Sequence, residues 1–145
     1  MGNNTDGEAQ RKMKYCTDTW FLLELYRKSD KANDIFKGVL EGKNRIVIPT
    51  VSIMELVRVA IMKGEKISNI ESLIKELKAT QKVQVAVLDE EIAKEAAKIS
   101  ISYSVPSIDS IVAATHTMTD CDILLSKDDD LIVLSKKRYL KIENW

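Results

Sequence analysis

The sequence predicts an α/β fold: a single three-layer domain with a central parallel sheet and helices on both faces. Three observations lead there. The chain has 145 residues, enough for one domain with a substantial core and too few for two. Short apolar, β-prone runs alternate along it with longer segments of helical periodicity, which is the order of βαβ units. Hydrophobic residues make up 45% of the chain, as in globular proteins. No apolar run approaches the ~18–20 residues of a membrane-spanning helix, and no signal peptide is evident.

The elements can be taken in chain order. Residues 1–12 are polar, rich in Gly and Asn and aperiodic, and are expected to be a flexible leader or an extension ahead of a domain spanning 13–145. Tyr15, Cys16 and Thr17 form a first strand, and the apolar run 20–26 a helix. Residues 31–42 form a second helix, with Ile35, Phe36, Val39 and Leu40 on one face. Residues 45–48 are a strand that Pro49 stops, because proline has no N–H to donate. Helices are expected at 52–62 and at 67–79, the latter with Ile70, Leu73, Ile74 and Leu77 at helical spacing. Residues 83–88 are β-rich and 89–100 form an Ala/Lys/Glu helix. Pro106 breaks the chain and Ser107 opens a helix over 108–117. Residues 122–125 are a strand, 127–130 a turn followed by a short apolar segment, and 139–142 a last strand.

Charge and cysteine content narrow the function. Lys and Arg number 22, Asp and Glu 22, so the net charge is zero and a polyanion binder working by bulk charge is disfavoured. Cys16 and Cys121 are the only cysteines, have no CxxC spacing and sit in apolar stretches, which fits reduced, buried thiols of a cytoplasmic protein. With one histidine, His116, and two isolated cysteines, the sequence argues against a structural zinc site. A metal would then be a hard ion held by carboxylates.

In a parallel sheet, function gathers beyond the carboxyl ends of the strands. Asp18 ends the first strand, Glu55 lies in the first turn of the helix after the second, and Asp128 follows the strand 122–125 and Ser126. Asp109 lies in the first turn of the helix that Ser107 opens. Each has a purely structural reading. Asp18 suits a helix N-cap. Ser52-Ile53-Met54-Glu55 matches a capping box. Asp109 complements a helix dipole, and Asp128 to Asp130 suit a turn. Convergence distinguishes the functional reading: four like charges at one edge repel, and a cation relieves them. Mg²⁺ suits a few carboxylates with water and substrate phosphate, and so serves phosphoryl chemistry.

The ordered set Asp18-Thr19, Ser52-x-x-Glu55, Asp109-x-x-x-Ala113-Ala114 and Ser126-x-Asp128-x-Asp130 resembles the PIN domain family, in particular its compact archaeal and bacterial members that include VapC-type toxins. The resemblance covers residues 13–145. It implies a Mg²⁺- or Mn²⁺-dependent endoribonuclease on a five-stranded parallel sheet, a homodimer and, for a toxin, a protein antitoxin. It also implies products with a 5′-phosphate and a 3′-hydroxyl. By position, Asp18, Glu55, Asp109 and Asp128 match the catalytic, metal-binding acids, Asp130 a fifth acid and Ser126 a hydroxyl near the site. The sequence departs from the pattern at Leu131, where an aromatic residue is common, and at bulky Trp20.

Other residues complete the reading. Ser52, Glu55 and Arg58 share one side of the helix 52–62, so Arg58 can pair with Glu55 or reach a substrate phosphate. The rest of that helix is apolar enough to pack in the core or against a second chain. His116, seven residues after Asp109, lies about 10 Å deeper on the same helix stripe and is expected to be a packed or surface histidine. Lys136-Lys137-Arg138 and Arg27-Lys28 are the basic clusters available to RNA. Two alternatives stand beside the toxin: a PIN-domain protein of RNA processing, and a scaffold that binds RNA or protein without cleaving. Receiver and haloacid-dehalogenase folds need a second acid beside or two after the first, and Thr17-Asp18-Thr19-Trp20 supplies neither.

Overall fold

A computed structural model describes residues 12–143, so the expected leader, apart from Lys12, lies outside the described residues. Among the described residues five strands alternate with seven helices: β1 Lys14–Thr17, α1 Thr19–Tyr26, α2 Asp30–Leu40, β2 Arg45–Pro49, α3 Thr50–Met62, α4 Ile67–Ala79, β3 Val83–Ala86, α5 Glu90–Tyr103, α6 Ser107–Met118, β4 Ile123–Leu125, α7 Asp129–Lys136 and β5 Ile142–Glu143. All pairings are parallel, in the order β3-β2-β1-β4-β5. The predicted three-layer α/β domain is the observed one.

Strand residues alternate between two cores, as a pleated sheet buried on both faces requires. On one face Ile46, Ile48 and Leu125 pack with Phe21, Leu22 and Leu25 of α1, Val39 of α2, Leu56 of α3 and Ile70 and Leu77 of α4. On the other, Cys16 and Leu124 pack with Ile92, Ala96 and Ile99 of α5, Val112 and Ala113 of α6, and Leu131 and Leu134 of α7. Leu124 and Leu125, adjacent in β4, point to opposite faces. The chain steps from β1 through β2 to β3, then returns to place β4 on the other side of β1. The switch point of the sheet therefore lies between β1 and β4, where Thr17 pairs with Leu125.

Four expectations are corrected. Residues 127–130 are not merely a turn: Asp128 caps α7, its carboxylate accepting from the Asp130 N–H. The apolar segment after it is helical, with Leu131 and Leu134 on one buried stripe. The third strand stops at Ala86, because Leu88 N–H already turns to the Thr50 hydroxyl and Asp89 caps α5. The last strand is confined to Ile142–Glu143, since Tyr139 N–H is held by the carbonyl of Leu134 at the end of α7.

Candidate active site

Three helix N-termini meet at the switch point, each carrying an acid. Asp18 follows β1 and caps α1, Oδ1 accepting from Phe21 N–H at 3.1 Å. Only 5% of the residue is exposed, and Oδ2 is buried with no hydrogen-bond partner. Asp109 is the third residue of α6 and is half-buried. Asp128 caps α7, and its own N–H donates to the Ser126 hydroxyl at 3.0 Å. Ser126, one residue beyond β4, is fully buried.

Carboxylate oxygens of Asp109, Asp128 and Asp130 lie within 4.8 Å of one another. Asp18 belongs to the same electrostatic cluster. Its carboxyl is pushed up to about 6, chiefly by burial; the Ser126 hydroxyl and the Phe21 amide oppose that rise, and the Asp128 charge adds to it. The Asp109 carboxyl is pushed up to about 7, first by burial, then by the charges of Asp128, Asp130 and Asp18, and by a hydrogen bond with Asp128. Capping explains each acid singly. It does not explain a buried carboxylate oxygen without a hydrogen-bond partner, or two carboxyls, Asp18 and Asp109, raised first by burial and then by neighbouring acids.

Glu55 sits differently. Helix α3 begins at Thr50 after Pro49, with no side-chain cap, so Glu55 lies in its second turn and the capping-box reading fails. Ser52 instead donates its buried hydroxyl to the Thr17 carbonyl at 3.3 Å, tying α3 to the end of β1. Glu55 is gripped by Arg58, with Nε to Oε1 at 3.2 Å and Nη2 to Oε2 at 3.1 Å. It stands outside the group formed by Asp109, Asp128 and Asp130. The basic clusters Arg27-Lys28 and Lys136-Lys137-Arg138 lie at the far ends of α1 and α7, a helix length from the acids. The buried Thr17 hydroxyl, unpartnered beside Asp18, is the polar group that sequence reading passed over; only its place at the end of β1 marked it.

A family model for the PIN domain matches residues 15–137. The chain belongs to the PIN domain family. No curated protein matches it. Solved structures share its fold at low identity. VapBC2 from Rickettsia felis, bound to a DNA fragment from its promoter, is 15% identical with a TM-score of 0.71, covering 92% of this chain and 99% of that one. FitAcB from Neisseria gonorrhoeae is 16% identical with a TM-score of 0.63, over 90% and 96%. VapC20 from Mycobacterium tuberculosis, a sarcin-ricin-loop-cleaving toxin, is 11% identical with a TM-score of 0.65, over 81% and 92%. In this PIN domain Asp18, Asp109, Asp128 and Asp130 gather beyond the carboxyl ends of β1 and β4 while Glu55 stands apart with Arg58, and no helix among the described residues is long and apolar enough to cross a membrane.

Proposed function

We propose that this PIN domain is a metal-dependent endoribonuclease that hydrolyses RNA phosphodiester bonds, the toxin of a VapBC-type toxin–antitoxin pair. The observation that carries the reading is the convergence of Asp18, Asp109 and Asp128 on the β1/β4 switch point, with Asp18 Oδ2 buried and unsatisfied. An all-oxygen, acidic donor set fits a hard divalent cation. Asp18, Asp109, Asp128 and Asp130 would hold Mg²⁺ or Mn²⁺, and Glu55 would join them on leaving Arg58. Such an ion supplies Lewis-acid polarisation of a phosphoryl oxygen and a more acidic water. The N-termini of α1, α6 and α7 direct their positive ends at the same edge, which favours a phosphate there. Asp109, with its carboxyl at about 7, holds or releases a proton near neutral pH. Arg58, less than one helical turn past Glu55 and more than half exposed, is free to turn from it towards a phosphate.

Met54, Ile61, Met62 and Ile67 expose apolar surface along α3 and the start of α4, a face suited to a second copy or to a bound antitoxin. Solved neighbours in this fold include toxin–antitoxin complexes, which supports a protein partner. The test is cleavage of a panel of structured and unstructured RNAs by the purified protein. Activity should vanish in EDTA and return with Mg²⁺ or Mn²⁺. Cleavage that persists in excess EDTA overturns the metal dependence, and inactivity on every RNA with the ion bound points to the non-catalytic scaffold.

A further inference from the structure

The chain's two cysteines and its single histidine, scattered at positions 16, 116 and 121, come together in the fold. Cys16 is on β1, His116 on α6, and Cys121 in the connection from α6 to β4. Their ligand atoms lie within 4.8 Å of one another. Cys16 is fully buried and His116 only 4% exposed. His116 Nδ1 is buried with no hydrogen-bond partner, an orphaned acceptor or donor of the kind that native interiors rarely leave. Cys16 contacts the Val112 carbonyl at 3.9 Å and hydrogen-bonds with the Cys121 thiol, so the two sulfurs already face each other. The Thr119 hydroxyl is engaged with the Thr115 carbonyl, so its 3.2 Å contact to Cys121 Sγ leaves the thiol as donor.

We propose that Cys16, His116 and Cys121 form a second metal site, one for Zn²⁺, separate from the carboxylate edge. Thiolate and imidazole are the ligands zinc prefers, and carboxylate-bound Mg²⁺ has no use for them. Two thiolates cancel the charge of a dication, so the loaded site is electrically neutral and suits a buried position. Burial also pushes His116 down to about 4, which keeps its imidazole neutral and able to coordinate. A tetrahedral zinc spaces such donors about 3.5–3.8 Å apart, so side-chain shifts of about 1 Å close the site. Each thiol that binds gives its proton to solvent. The fourth position faces a cleft of about 870 Å³ that His116, Cys121, Met13 and Asp122 help to line, which provides both a path for the ion and room for a water ligand.

Position suggests the consequence. The site pins β1 to α6 and to the approach to β4; Asp109 and Asp128 lie at the far ends of α6 and β4, and Asp18 follows Cys16 by two residues at the end of β1. A zinc ion there would hold the acid-bearing elements in register without touching the acids.

The test uses the reduced, EDTA-treated protein titrated with Co²⁺ alone. A near-ultraviolet thiolate-to-cobalt charge-transfer band should grow to one Co²⁺ per chain and disappear when Zn²⁺ is added. The band should persist in an Asp109→Asn/Asp128→Asn variant, which separates this site from the carboxylates. It should be lost in Cys121→Ser. In His116→Gln, which keeps both thiols, Co²⁺ affinity should fall at least tenfold. At a hundredfold excess over its Kd, Zn²⁺ should raise the Tm of the wild type by about 5–10 °C and leave Cys121→Ser unchanged. Cobalt binding without the charge-transfer band, or a band that survives in Cys121→Ser, overturns the proposal. So does a Cys16–Cys121 disulfide that forms under mild oxidant equally fast with and without Zn²⁺, a result that marks the pair as a redox couple.

Discussion

Replacing Asp18 by Asn separates a structural acid from a functional one. Asn caps a helix about as well as Asp, so the Phe21 N–H keeps its acceptor. What changes is the charge. The Asp18 carboxyl stands at about 6 in the fold against 3.8 without it, and at ~1.4 kcal/mol per pH unit the folded state carries a penalty of about 3 kcal/mol for the ionised form. Because the folded pKa is raised, the native state binds the proton more tightly than the unfolded one. The penalty is therefore fully present above pH ~6 and fades as pH falls towards ~4. In EDTA at pH 8, Asp18→Asn should be more stable than the wild type by up to about 3 kcal/mol, an increase in urea midpoint on the order of 1 M. At pH ~4 the two should coincide. The same variant should lose at least about a hundredfold in RNA cleavage, about 2.7 kcal/mol of barrier. Urea unfolding followed by circular dichroism at the two pH values, with cleavage measured in parallel, provides the comparison. If Asp18→Asn is less stable at pH 8, or its effect does not depend on pH, Asp18 is an ordinary cap and the argument from its orphaned oxygen is wrong.

The same geometry sets further outcomes. Wild-type stability in EDTA should fall as pH rises from about 4 to 8, because the Asp109 and Asp18 carboxyls are both raised by burial and by neighbouring acids; added Mg²⁺ should reverse the fall, and a flat profile would contradict it. Glu55→Gln should change stability by no more than ~0.5 kcal/mol, the scale of an exposed ion pair, yet lower the cleavage rate about a hundredfold if Glu55 leaves Arg58 for the metal; near-normal activity would leave Glu55 as Arg58's partner alone. Leu131→Ala should cost about 2–5 kcal/mol, since the side chain is fully buried and seats α7, which carries Asp128 and Asp130. Light scattering should show a dimer at micromolar concentration and a monomer for Met54→Glu/Ile61→Lys, while a monomeric wild type would remove the apolar face of α3 from consideration.

Much of this protein was settled by local pattern. Periodicity identifies α4 at residues 67–79 to the residue, because Ile70, Leu73, Ile74 and Leu77 can share a buried stripe only in a helix. The placement of Asp18, Asp109 and Asp128 beside strand and helix ends was legible for a related reason: in an alternating βα chain all strands run one way, so their carboxyl ends, and the residues just beyond them, share one edge. The i,i+3 spacing of Glu55 and Arg58 likewise announced their pairing. Three matters waited for the tertiary structure. The start of α3, expected at Ser52, lies at Thr50, set by the pairing of Pro49 with Ala86 and the hold of Ser52 on the Thr17 carbonyl. The run after Asp130 mixes β-branched and γ-branched residues, so propensity could not choose between strand and helix; burial of Leu131 and Leu134 against the sheet did. The meeting of Cys16, His116 and Cys121 has no spacing to betray it, because contact across a hundred residues depends on how α6 lies against β1, and only packing determines that.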